Sequence, residues 1–338
     1  MRVLFDHPSP FALAHGGFQT QIEQTKQALE ESGVHVEYLR WWDATQQGDL
    51  IHYFGAASNA YLQQARASHL PVAMTTLFTE TCNRSDWQLR CQRFLTQAIL
   101  RFPGGEGVKQ QLSWRAYQNC SRNVVGLHAE KAVLERVYDV PAHRISIVPL
   151  GLSNRYLKAG PGNRSQEHLI CTGTITERKN SVPLAEMALK AKVPILFVGK
   201  PYHTNDPYWK RFEKLIDQQF VKYHPHVADE DEMISLLQAA RGFVLKSRYE
   251  NWCLSAHEAA ACGLPVLLPD QKWSRERFGP DAHYFLPSDG PANVDMLREF
   301  YDECPDLPGS KMRLYSWHET AEQLRKVYET VLNSMRGL

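Results

Sequence analysis

The sequence predicts an α/β protein with two doubly wound parallel sheets. Short apolar runs rich in β-branched residues alternate with amphipathic stretches, a pattern typical of parallel strands covered by helices. The alternation stops at residues 151–167, where Asn, Gly, Pro and Ser indicate a linker, and then it restarts. A chain of 338 residues, 43% of them hydrophobic, is long enough for two cores of ordinary size.

The first half of the chain opens with a strand at Arg2–Asp6, followed by a Gly16-Gly17 loop and a helix from about residue 18 to residue 32. The same apolar pattern predicts its other strands at Val34–Leu39, Asp49–Phe54, Val72–Thr76, Asn123–Leu127 and Arg144–Val148. The second half repeats the pattern, with strands expected at Leu169–Thr172, Pro194–Val198, Lys222–Val227, Gly242–Lys246 and Pro265–Leu268.

We therefore expect Rossmann-like domains at residues 1–150 and 165–312, with a ligand-binding cleft between them at the carboxyl ends of the strands. A last helix is expected at residues 313–338. Its apolar residues step by four, three, four and three, which indicates a stripe that packs into a core: Trp317, Ala321, Leu324, Tyr328 and Val331.

Composition excludes several classes of function. The net charge of +1 gives no indication of nucleic-acid binding. The seven cysteines are scattered, without a Cys-x-x-Cys pair, which favours reduced thiols. No apolar run reaches the length of a membrane span, and the N-terminus resembles a strand and not a signal peptide, so we expect a cytoplasmic protein.

Two acids eight positions apart, Glu250 and Glu258, are the most informative feature of the chain. Glu250 follows an apolar strand at the point where a helix would begin, and Glu258 lies about two helical turns further on. Free backbone N–H groups at a helix N-terminus are suited to a phosphate. An isolated pair of this kind is usually a solvated helix face; the residues around this pair favour a functional interpretation.

The run from residue 247 to residue 266 resembles the Glu-x7-Glu motif of the retaining GT-B glycosyltransferases, in particular the fourth family, glycosyl transferases group 1. The Glu-Ala-x-Ala-Cys-Gly-x-Pro-Val continuation also agrees. This resemblance implies two Rossmann-like domains facing a central cleft. It also implies transfer of a sugar, with retention of configuration, from a nucleotide-diphosphate donor to an unidentified glycan, lipid or small molecule. It implies no required metal or other cofactor.

The resemblance also implies roles for individual residues. Glu250 would orient the donor sugar, Glu258 would bind the ribose, and Lys179 would stabilise the departing diphosphate. Thr174 stands where the family has Arg, so that Arg178 is expected to replace it. The other expected donor-binding residues are Gly173, Asn180, Asn251, Trp252, Cys253, Leu254, Gly16 and Gly17. Backbone N–H groups of residues 252–254 would hold the diphosphate.

Two histidines are candidates for the acceptor side. His52 ends a predicted strand, and His128 stands where the family often has Ser. A structural histidine is an equally good interpretation for each. No metal site is expected: Asp229, with Glu232 three residues on, indicates a helix cap and not a metal-binding Asp-x-Asp motif.

Residues 84–122 contain seven basic residues and two acids, with Trp and Phe residues interleaved. Such a segment suits peripheral contact with an anionic membrane, whereas the simpler interpretation is a solvated helix face. A nicotinamide-dependent oxidoreductase is excluded, because no Gly-x-Gly-x-x-Gly follows the first strand. A non-catalytic protein that binds sugar nucleotides stays an alternative, since Thr174 and residues 251–253 depart from the family pattern.

Overall fold

The computed structural model describes residues 1–8, 10–11, 16–287 and 290–336. Part of the predicted loop after the first strand, residue 9 and residues 12–15, therefore lies outside the described residues. The described chain divides into two compact units. The first holds the residues up to 11, residues 18–151 and residues 317–336, and the second holds Gly16, Gly17 and residues 152–316.

The first unit alternates strands and helices along its length. Its elements, in chain order, are β1 (Arg2–Asp6), α1 (Gly17–Glu31), β2 (His35–Tyr38), β3 (Leu50–Phe54), α2 (Asn59–Ala67), β4 (Val72–Thr75), α3 (Asp86–Arg101), α4 (Glu106–Gln111), α5 (Trp114–Asn119), β5 (Arg122–Val125), α6 (His128–Tyr138) and β6 (Ile145–Ile147). Within the described residues its sheet has six parallel strands in the order β2-β1-β3-β4-β5-β6.

The second unit repeats this architecture. Its elements are α7 (Asn154–Ala159), β7 (Leu169–Thr172), α8 (Ser181–Ala191), β8 (Ile195–Val198), α9 (Pro207–Glu213), β9 (Val221–His224), α10 (Glu230–Ala239), β10 (Gly242–Val244), α11 (Leu254–Ala261), β11 (Val266–Pro269), α12 (Lys272–Phe278), β12 (His283–Phe285) and α13 (Ala292–Glu303). The described part of its sheet has six parallel strands in the order β12-β11-β10-β7-β8-β9.

The burial of whole strands shows that both sheets are covered on both faces. Every residue of β3, β7 and β11 is buried, as expected for parallel strands with helices on each side. In the second sheet the chain moves outward from β7 through β8 to β9, and then returns to the other side of β7 at β10. The loops after β7 and β10 therefore diverge in opposite directions, which opens a crevice at the carboxyl ends of these two strands.

The chain closes with α14 (Trp317–Arg336), which is grouped with the first unit. All five residues of its predicted apolar stripe are buried. The Thr320 hydroxyl donates to the carbonyl of Pro149 at 2.8 Å, within the same unit. No helix in the described ranges combines the length and the apolar character that a bilayer crossing would need.

The structure corrects three details of the predicted elements. The linker expected at residues 151–167 contains α7, whose Tyr156 is buried in the second unit. The strand expected at residues 222–227 is shorter and begins one residue earlier, as β9. The short edge strand β12 was not predicted at all.

Candidate functional site

Two loops of the second unit lie at its sheet crevice. Residues 173–180 follow β7, residues 245–253 follow β10, and these strands are hydrogen-bonded neighbours. The loops are joined directly, because the backbone N–H of Arg248 donates to the carbonyl of Arg178 at 2.8 Å. The Arg248 guanidinium also lies 3.1 Å from the Glu177 carboxylate. The expected donor-binding residues of the first loop and those around Glu250 are therefore brought together by direct contacts.

Each loop leads into a helix, and the residue just before each helix has the left-handed backbone conformation. Asn180 precedes α8 with φ of 59°, and Cys253 precedes α11 with φ of 62°. Neither side chain caps its helix. A left-handed residue followed by a helical one turns successive N–H groups toward a common point, which suits an anion. The first turn of α11 therefore offers uncapped N–H groups and the positive end of the helix dipole.

Glu250 lies between two cations in this crevice. Its Oε1 is 2.7 Å from Nη1 of Arg178 and 2.7 Å from Nζ of Lys179, and the residue is 5% exposed. Burial alone would raise the pKa of Glu250, but the fields of Lys179 and Arg178 outweigh it and lower that pKa. In the same way burial opposes the charge of Lys179, and Glu250 raises its pKa overall. The three groups stay ionised and carry a net charge of +1.

Gly173 makes room for the lysine. Its φ is +144°, and a Cβ added there would lie 3.4 Å from Cε of Lys179. A larger residue would strain the backbone and crowd the lysine stem. Thr174, which replaces the expected arginine, has its hydroxyl near Gly16 of the same unit, 3.9 Å from the position of an added Cβ. Arg178 supplies the second cation beside Lys179 instead.

The turn before α11 rests on a stack that sequence reasoning missed. Trp252 is buried, its ring is parallel to that of His257 at 4.8 Å, and the Arg277 guanidinium lies 4.4 Å from the ring centre. Nδ1 of His257 bonds the carbonyl of Cys253 at 3.0 Å, which supports the left-handed turn. Burial lowers the pKa of His257 to about 3, so its ring is neutral. The Trp252 side chain thus has a structural role in packing beneath this turn. The preceding residue, Asn251, is half-buried.

Glu258 lies on α11, part-buried, with an electrostatic environment unlike that of Glu250. Burial, followed by the negative charge of Glu230, raises its pKa to about 7, and Lys179 lowers it only partly. The hydroxyl of Ser153 donates to Glu230 at 2.9 Å, which keeps that second acid in place. Near neutral pH, Glu258 therefore exists in both protonation states, and a ligand that donates hydrogen bonds would favour the charged one.

Of the two interpretations of His52, acceptor contact and structural histidine, the structure supports the structural one. The residue is fully buried; its Nδ1 bonds the Tyr328 hydroxyl at 2.5 Å and its Nε2 bonds the Thr75 hydroxyl at 2.7 Å. With both ring nitrogens occupied, His52 is a core histidine that joins β3 to α14 and cannot contact an acceptor. His128 is different, because it is exposed at the first residue of α6. An acceptor contact by His128 stays a prediction.

Two buried acids of the first unit were not predicted. Glu130 accepts the backbone N–H groups of Phe78 and Gly126 at 3.0 and 2.9 Å, which joins the loops after β4 and β5. Asp6, at the end of β1, accepts the Tyr61 hydroxyl at 2.6 Å. Only tertiary contacts reveal these roles, since neither acid belongs to a recognisable motif.

Asp229 caps α10, as predicted, by accepting the backbone N–H of Glu232 at 2.9 Å. Across the described part of the chain, no group of three His, Cys, Asp or Glu side chains is arranged to hold a metal ion.

Comparison with known proteins agrees with this fold. Two doubly wound units with parallel six-stranded sheets are the units of the GT-B fold. Residues 160–297 match the family model of glycosyl transferases group 1, so the predicted resemblance to that group is confirmed over this part of the chain. Sucrose-phosphate synthase from Thermosynechococcus elongatus has the same fold, with a TM-score of 0.66 at 16% identity over 99% of this chain and 97% of that one.

Two curated relatives match part of the sequence. O-antigen chain mannosyltransferase B of Escherichia coli is 29% identical over 216 residues, which are 57% of this chain and 56% of that protein. MMP alpha-(1->4)-mannosyltransferase of Mycolicibacterium hassiacum is 26% identical over 211 residues, or 58% of this chain and 50% of that protein. The chain thus spans about half the length of the curated relatives it matches.

Proposed function

We propose that the protein is a retaining glycosyltransferase, which moves a sugar from a nucleotide-diphosphate donor to a glycan, lipid or small-molecule acceptor. The observation that carries this proposal is the cluster of Glu250, Lys179 and Arg178 at the crevice of the second sheet. Its net positive charge lies between the two loops, and α11, the helix that follows the second loop, begins with uncapped N–H groups. Cations and helix N-termini together are the usual means of holding a diphosphate.

Lys179 and Arg178 would accelerate the reaction by acting on the departing diphosphate. When the bond between the sugar carbon and the diphosphate breaks, negative charge grows on the departing phosphate oxygens. Lys179 and Arg178 then interact more strongly with the transition state than with the bound donor, which lowers the barrier and raises turnover. Because two protein cations already face this charge, we propose that transfer requires no metal or other cofactor.

The two acids would hold the rest of the donor. Glu258 would accept hydrogen bonds from the ribose hydroxyls, which favour its charged form. Glu250 would bind the donor sugar through its second oxygen, since Oε1 is held by the cations. Mannose is the first sugar to test, because both curated relatives are named mannosyltransferases.

The test is release of nucleoside diphosphate from a panel of donors that includes GDP-mannose and UDP-glucose. The purified protein should release it from at least one donor, with or without a chelator. Lys179→Ala should reduce that rate by about a hundredfold or more, the effect of removing one charge-stabilising group. Lys210→Ala is the matched control, because Lys210 is an exposed lysine of the same unit that pairs with Glu213.

The outcomes separate two functions. Release that depends on Lys179 supports the glycosyltransferase. Binding of a donor without any release, even after addition of candidate acceptors, would instead favour a non-catalytic protein that binds sugar nucleotides.

A further inference from the structure

Helix α3 of the first unit turns few of its apolar residues toward the protein. It packs on α6, with Leu89 in the apolar core, and exposed polar pairs lie at the side of this contact: Arg93 with Asp139 at 2.8 Å, Gln97 with Asp139 at 2.9 Å, and Asp86 with Arg136 at 3.0 Å. In this fully described helix of 16 residues, two residues are buried, Leu89 and Thr96. Burial against the protein therefore accounts for few of the apolar residues of α3.

The apolar residues of α3 face away from the protein. Helical spacing places residues 87, 91, 94, 95 and 98 on one side, opposite Leu89 and Thr96. The large apolar side chains of this outer face and its edge are between 46% and 74% exposed: Trp87, Phe94, Leu95, Ile99 and Phe102. A soluble surface rarely carries so many large apolar residues together unless they contact a partner.

Positive charge borders this outer face. Arg90 and Arg101 are exposed next to Trp87 and Phe94 by helical spacing, and neither forms an ion pair within the described residues. Asp86 is the sole acid in the sequence of α3, and it is paired with Arg136. The outer face therefore combines apolar residues with uncompensated positive charge, which is complementary to an anionic surface.

The end of α3 is held firmly by the chain that follows it. The ammonium of Lys109, a buried residue, donates to the carbonyl of Phe102 at 2.5 Å and lies 2.8 Å from Glu106. Arg115 reaches the carbonyl of Leu100 at 3.4 Å. These contacts satisfy carbonyls at the C-terminal end of the helix with cations, and the Phe102 side chain beside them is exposed.

We propose that the outer face of α3 lies in the headgroup layer of an anionic lipid bilayer. The apolar side chains enter the boundary with the acyl chains, and Arg90 and Arg101 contact lipid phosphates. A second copy of the chain fits less well, because a two-fold contact through this face would place arginines near arginines with no acid to neutralise them. The contact extends along one face of one helix and not over all of residues 84–122.

The experiment is sedimentation of the full chain with vesicles. One set is phosphatidylcholine alone, and the other contains about one-third phosphatidylglycerol to give a negative surface. The wild type should bind the anionic set and not the neutral one. The double variant Phe94→Ser, Leu95→Ser should lose at least about tenfold in binding, because two apolar side chains no longer enter the bilayer. The pair Arg90→Gln, Arg101→Gln should lose roughly fivefold per residue at low salt.

Trp42→Ser is the matched control, because Trp42 is 83% exposed in the first unit and lies outside α3. It should bind as the wild type does, and all variants should keep the wild-type melting temperature, since the changed residues are exposed. Absence of wild-type binding, or unchanged binding by the Phe94→Ser, Leu95→Ser variant, would overturn the proposal. An equal loss of vesicle binding by Trp42→Ser would also overturn it. So would a protein that does not bind vesicles and instead forms dimers that depend on Phe94 and Leu95.

Discussion

Replacing Glu250 with Gln should tighten the binding of a nucleoside diphosphate while it slows turnover. The change keeps the size of the side chain and removes its charge. In the structure the Glu250 carboxylate forms ion pairs with both Lys179 and Arg178, at 2.7 Å from each. A diphosphate held by the same lysine would therefore share its cation with a carboxylate, and the two anions would repel each other.

The geometry sets the size of this repulsion. An oxygen of the carboxylate and an oxygen of the phosphate, each about 2.7 Å from Nζ of Lys179, are separated by no more than twice that distance. Two unit charges so placed repel by about 1 kcal/mol at the dielectric constant of water and by about 3 kcal/mol at an effective value of 20. Removing the charge of Glu250 should therefore strengthen diphosphate binding by about 5-fold to 150-fold.

Titration calorimetry with a nucleoside diphosphate measures this change, and donor turnover is measured in parallel. Turnover should fall by about a hundredfold or more, because the variant no longer orients the donor sugar in the transition state. Glu177→Gln is the control, since Glu177 is an exposed acid of the same loop that pairs with Arg248. If Glu250→Gln is folded but binds the diphosphate as the wild type does, or more weakly, the shared-cation argument is wrong.

Three further predictions follow from the same structure. The pKa of Glu258 is raised from 4.5 to about 7, so the folded chain is most stable below pH 4.5 and loses stability as pH rises through 7 and this acid ionises. Urea unfolding should show that the free energy of unfolding of Glu258→Gln falls less over this pH range, by up to about 3 kcal/mol. The same change should weaken donor binding by about 1–3 kcal/mol. Lys179→Ala should weaken a nucleoside diphosphate much more than the bare nucleoside, whereas equal losses in calorimetry would indicate a folding defect. Tyr328→Phe leaves a buried nitrogen of His52 unpaired, so it should lower the free energy of unfolding by about 1–3 kcal/mol without changing nucleotide affinity.

The fold class was predictable because local patterns encode it. Buried strands such as β7 and β11 appear in the sequence as short, mostly apolar runs, and the stripe of α14 repeats at the helical period. Where local patterns are weak the prediction failed. Strand β12 has three residues, too few to show alternation, and α7 is a single short helix within a segment rich in Gly and Pro.

Long-range contacts account for two features that no local pattern shows. His52 lies near the end of a predicted strand, so the sequence suggested a side chain that faces a ligand. Its partner Tyr328 lies 276 residues later in the chain, and no local pattern shows that α14 covers it. The shift of Glu258 has a similar origin, because part of it comes from Glu230 on α10.

The sequence places the candidate site residues on two loops and does not give their arrangement. The motifs and the rule for parallel strands place Lys179 and Glu250 at neighbouring strand ends. They do not show that one carboxylate oxygen holds both Lys179 and Arg178, nor that the Arg248 backbone joins the two loops. Those features depend on side-chain geometry that only the folded chain provides.

A crystal structure with a bound nucleoside diphosphate would show whether the loops after β7 and β10 form the donor site. We predict phosphate oxygens within about 3 Å of Nζ of Lys179 and at the N-terminus of α11, with the ribose hydroxyls on Glu258. A nucleotide bound away from the loops after β7 and β10, or one whose ribose and diphosphate lie the other way round, would contradict it.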